Sequence, residues 1–85
     1  MSTNEKTENN LSWLLQFAIE ESAVGVMEAI KDSDVVYMSL LLEDLRDTLA
    51  EARRLGGTES DITETLEGVR RAYPGIAKTW SEILE

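Results

Sequence analysis

Carboxylates are the side chains in this sequence with the most scope for chemistry: 17 Asp and Glu stand against 8 Lys and Arg, for a net charge of −9. Two arrangements of them bear on metal chemistry. Asp32-Ser33-Asp34, with Glu43 eleven places after Asp32, matches the first, third and twelfth positions of a calcium-binding loop. The match then fails. Val36 stands where an oxygen ligand is needed and Tyr37 where a glycine makes the sharp turn. The second is an all-carboxylate magnesium site for nucleotide hydrolysis, drawn from Glu20, Glu21 and Glu28 with Glu43, Asp44 and Asp47. Such a site needs acids converging from facing helices. Here Glu20 and Glu28 sit away from the seam of their helix and Glu43 and Asp47 lie opposite the seam of theirs, so they diverge into water.

Other catalytic equipment is missing. With no His and no Cys, the commonest general base, the thiol nucleophile and the usual transition-metal ligands are gone. Gly56-Gly57 has no following Lys-Ser/Thr and no preceding strand, so it reads as a helix stop and not a phosphate loop. The sequence therefore points away from an enzyme, a cofactor and a metal. Its basic residues, Arg53-Arg54 and Arg70-Arg71 with scattered Arg46, Lys6, Lys31 and Lys78, close helices and are outnumbered by acid. Direct nucleic-acid binding, which relies on basic side chains releasing counterions, is not expected. Nor is binding to an anionic membrane surface. The start, MSTNEKTENN, has no apolar signal region, and no apolar run approaches the roughly 20 residues of a membrane span. Together with the absence of Cys, this suggests a cytoplasmic protein.

The elements that carry these side chains read as all-α: a compact antiparallel bundle of three to four helices behind a flexible polar tail at residues 1–9, with Asn9 or Asn10 as cap. Residues 10–85 form a single helical domain, with helices predicted over 11–30, 34–55, 59–72 and 75–84. The second is the clearest. Val35, Met38, Leu42, Leu45, Leu49 and Ala52 recur at 3-4-3-4-3, a heptad seam widened by Leu41. Glu43, Asp44, Asp47 and Glu51 occupy its opposite face, an acidic ladder that Glu59, Asp61, Glu64 and Glu67 continue along the third helix. The third helix carries one stripe, Ile62, Leu66, Val69 and Tyr73, before Pro74-Gly75 breaks it.

The first helix is apolar on more than one side. Its main face collects Leu11, Leu14, Leu15, Ile19, Val26 and Ile30 around a small-residue row, Ala18, Ser22, Gly25 and Ala29. That row predicts a helix-packing seam admitting the second helix at close range. Trp13, Phe17 and Val24 fall on a different side. In a bundle this small, either the third and fourth helices cover them or they stay in water, and an exposed aromatic patch marks an interface. Tyr37 and Leu40 add apolar surface on the second helix.

The function these features suggest is a small acidic helical interaction module: an accessory, adaptor or regulatory protein. It would bind another protein through Trp13, Phe17, Val24, Tyr37 and Leu40, a homodimer being one form of that binding. The alternative is an acidic inhibitor or immunity-type protein whose Glu43–Glu51 face occupies the basic nucleic-acid-binding groove of a target. A magnesium-dependent nucleotide hydrolase is the third and least supported reading.

Overall fold

The computed structural model describes residues 11–85. They form four helices and no strand: α1 (Trp13–Lys31), α2 (Val35–Arg54), α3 (Glu59–Arg71) and α4 (Trp80–Leu84). The chain is thus an all-α bundle whose three long helices pack on one another. The polar tail expected at residues 1–9, and the caps considered at Asn9 and Asn10, lie outside the described residues.

Local chemistry sets each helix start. The first N–H groups of a helix lack internal partners, so a side-chain oxygen just ahead of it is stabilising. Ser12 accepts from the Leu15 N–H at 3.2 Å, Asp34 from Tyr37 at 3.0 Å and Thr58 from Asp61 at 3.1 Å. Thr79 forms a full capping box: its hydroxyl accepts from the Glu82 N–H at 3.2 Å, and its own N–H donates to the Glu82 carboxylate at 2.8 Å. This corrects the predicted 75–84 helix. The box starts α4 at Trp80, and Pro74-Gly75 holds the preceding segment out of helix.

α1 and α2 end in the same way. The Ser33 and Asp34 N–H groups donate to Ile30 and Ala29 carbonyls, both at 3.0 Å. Gly56 and Gly57 repeat the pattern on Arg53 at 3.0 Å and Ala52 at 2.8 Å. The motif places one residue in the left-handed region. Gly56, at φ 97°, takes it without a Cβ penalty, whereas Ser33, at φ 58°, does not. Gly57 is needed for a different reason: a Cβ there would lie 2.6 Å from Leu11 and 2.9 Å from the Ala52 carbonyl oxygen.

The core joins Ile19, Ala23, Val26 and Met27 of α1 to Leu42, Leu45, Leu49 and Ala52 of α2 and to Ile62, Leu66 and Val69 of α3. α4 completes it through Trp80 and Ile83. The Trp80 indole N–H donates to the Leu66 carbonyl at 2.7 Å, so its polar edge is satisfied inside the core. The α2 seam is buried from Leu42 onward, while Val35, in its first turn, is exposed. On α1 the buried face is rotated from the one expected. Ala23 and Met27 are inside, Leu14 is 62% exposed, and the small-residue row lies at the face's edge. The cause is that α1 packs on α2 and α3 together, so its buried arc is centred between the two.

Candidate protein-interaction surface

Trp13, Phe17 and Val24 are held on one side of α1. At 100° per residue they fall within about 40° of arc. None is covered: Trp13 is 73%, Phe17 54% and Val24 38% exposed. Neither α3 nor α4 closes over this side. α3 packs against α1, Ala23 and Met27 lie in the shared core, and α4 packs through Trp80 against the Leu66 turn of α3. Exposed glutamates stand beside the stripe, Glu20 on one side and Glu21 and Glu28 on the other, with Lys31 at its far end. Glu28 accepts a 2.7 Å hydrogen bond from the Tyr73 hydroxyl. That bond to a carboxylate, helped by desolvation, pushes the Tyr73 phenol above its ordinary pKa.

The small-residue row meets α2. A Cβ on Gly25 would lie 3.3 Å from Leu41 Cδ1, and the Ser22 hydroxyl donates to Asp44 at 3.0 Å. Ala29 is buried, while Ala18, Ser22 and Gly25 are half-buried. The neighbour of Gly25 is Leu41, the residue that widens the α2 seam, and not the central Leu42 or Leu45.

These two contacts fix α1 and α2 as antiparallel, and with that they separate the five apolar candidates. Tyr37 and Leu40 are exposed, at 53% and 61%, but lie toward the α2 N-terminus, opposite the C-terminal half of α1. Phe17 is offset along the axis by roughly 14 Å from Leu40 and roughly 18 Å from Tyr37, at 1.5 Å per residue. The stripe also points about 80° or more away from Gly25 and the α2 contact. Trp13, Phe17 and Val24 therefore form one surface, and Tyr37 and Leu40, with exposed Val36, another.

Glu43, Asp44, Asp47 and Glu51 are all exposed on α2. Asp44 is engaged by Ser22, and Glu51 is paired with Arg54, whose hydrogen bond holds its carboxyl below the usual range. The ladder expected along α3 is broken, because Asp61 is buried. Its place three residues after Thr58 turns it into the bundle, where its backbone carbonyl accepts from the Thr65 hydroxyl at 3.1 Å. Among the described residues no group of three or more acids is placed to hold a metal ion, and no helix is long and apolar enough to cross a membrane. Asp34, part of the calcium-like pattern, instead caps α2.

Two signals for this geometry were present in the sequence. Thr79-Trp80-Ser81-Glu82 spells the capping box that starts α4, and Ser12, directly before Trp13, is the cap of α1. The class defined by this geometry is an acidic four-helix bundle with an uncovered aromatic stripe on its first helix. The chain matches no protein-family model, no curated protein sequence and no solved structure.

Proposed function

We propose that this chain is a small protein-interaction module, an accessory or regulatory protein that binds another protein through the exposed side of α1. The carrying observation is that Trp13, Phe17 and Val24 remain in water although the fold has a complete core without them. Large apolar side chains gathered on one exposed surface are characteristic of binding sites. On this reading the chain acts in the cytoplasm, in keeping with its lack of Cys. Affinity capture from the native host, run side by side with the wild type and a Trp13→Ser/Phe17→Ser variant, tests it. A partner held by the wild type and lost from the variant is the expected result. A partner retained equally by both moves the interface elsewhere.

A second reading rests on the exposed Glu43, Asp44, Asp47 and Glu51 of α2, which offer a negative face to the basic groove of a nucleic-acid-binding protein. Salt separates the two. Charge-led binding weakens steeply as ionic strength rises, whereas binding led by the apolar stripe is far less sensitive.

A further inference from the structure

We infer that the partner seated on the α1 stripe is an amphipathic helix with basic residues flanking its apolar face. This rests on the interaction reading above and names the partner class for the same surface. Trp13, Phe17 and Val24 lie along one helix over three turns, roughly 16 Å. A ridge of this kind matches a second helix lying along it, whose apolar side chains seat beside the three.

Glu20 lies on one side of the ridge and Glu21 on the other, both exposed, while Glu28, beyond Val24, is held by the Tyr73 hydroxyl. A helix docked on the ridge brings its own flanking positions against these carboxylates. Lys or Arg there gives complementary pairs, and Asp or Glu gives repulsion. The basic end of the ridge, Lys31, is a single residue.

A second copy of the chain suits this face less well than a basic helix. A two-fold contact on this stripe would set each glutamate rim against its own image, between two molecules that each carry −9.

The test uses the full chain and three dye-labelled peptides, read by fluorescence anisotropy. One is an amphipathic helix of Leu in heptad spacing with Lys at the flanking positions. The second keeps the Leu spacing with Glu in place of Lys. The third has the Leu/Lys composition in scrambled order. The Leu/Lys helix should bind at least tenfold more tightly than either of the others. Trp13→Ser/Phe17→Ser should abolish that preference. Glu20→Lys/Glu21→Lys, which leaves the Glu28–Tyr73 contact intact, should weaken binding about tenfold, with far-UV circular dichroism confirming the fold of each variant.

Equal binding of the Leu/Lys and Leu/Glu helices overturns the basic partner but leaves the interaction reading standing. Equal binding of the scrambled peptide, or undiminished binding by Trp13→Ser/Phe17→Ser, overturns the inference, since charge alone would then be responsible, and the host capture experiment decides the interaction reading. If no peptide binds and light scattering gives twice the chain mass, the occupant is a second copy. The inference is then wrong, and the interaction reading survives as a homodimer. If no peptide binds a monomer, the inference also fails, and the host capture experiment decides the broader reading.

Discussion

Gly25 provides a quantitative check on the α1–α2 crossing. A Cβ at this position would lie 3.3 Å from Leu41 Cδ1 and 3.5 Å from Cδ2, and its three nearest neighbours all belong to the Leu41 side chain. For Gly25→Ala two terms oppose each other. Helix propensity favours alanine by about 0.8–1.0 kcal/mol. The Leu41 tip must move by a few tenths of an ångström, and an off-rotamer shift of that kind costs roughly 0.5–1.5 kcal/mol. The net change should lie within about 0.5 kcal/mol of the wild type. Gly25→Leu keeps most of the propensity gain but drives three further carbons into the space of Leu41. Overpacking costs typically 1–3 kcal/mol, leaving a net loss on the order of 1–2 kcal/mol. Combining Gly25→Leu with Leu41→Ala exchanges the large and small partners across the contact, so the pair should show a favourable coupling of about 1 kcal/mol or more. Urea unfolding followed by far-UV circular dichroism measures all four variants. A Gly25→Leu protein as stable as the wild type, or a double variant that is simply the sum of its singles, would refute close packing at Gly25.

Ser33→Gly relieves a left-handed residue in the α1–α2 turn. That conformation costs a non-glycine residue roughly 1–2 kcal/mol, part of which glycine returns as backbone entropy, so a gain of about 0.5–1 kcal/mol is expected in urea unfolding. Acid should loosen the start of α4. The Thr79 N–H, then its hydroxyl, hold the Glu82 carboxyl below its ordinary 4.5. A depressed folded value means that its contribution is complete above 4.5 and disappears as pH falls through the folded value. The indole resonance of Trp80 should report this step, and Glu82→Gln, which keeps the cap without the titration, should remove it.

How far the sequence predicts this structure depends on how one-sided each helix is. α2 and α3 each carry one apolar stripe against a polar remainder, so Leu42, Leu45, Leu49, Ile62, Leu66 and Val69 could be assigned to the core from spacing alone. α1 could not be read in this way. Apolar and small residues occur around much of its circumference, and spacing does not say which arc is buried when two neighbours share it. Ala23 and Met27 are inside and Leu14 outside because α3 packs on one flank of the helix, a long-range fact with no local signature. The same ambiguity hid the status of Trp13 and Phe17, since covered and uncovered rings are identical in one dimension. The start of α4 was legible in Thr79 and Glu82 but was masked by the apolar residues Ile76 and Ala77 upstream. The apolar candidates on α2, Tyr37 and Leu40, were grouped with Trp13 by residue type, and only the antiparallel register separates them.

Trp13 and Trp80 give an internal comparison that needs no substitution. The Trp80 indole N–H is buried and bonded to the Leu66 carbonyl, while Trp13 is 73% exposed. Hydrogen exchange of the two indole resonances, recorded for the free chain and again with a captured partner at saturation, addresses the role of the α1 stripe most directly. In the free chain Trp13 should exchange at once and Trp80 slowly; on saturation the Trp13 resonance should shift and become protected, with Trp80 unchanged. Protection of Trp13 in the free monomer, or an unmoved Trp13 resonance in the saturated complex, would contradict its assignment as the docking surface.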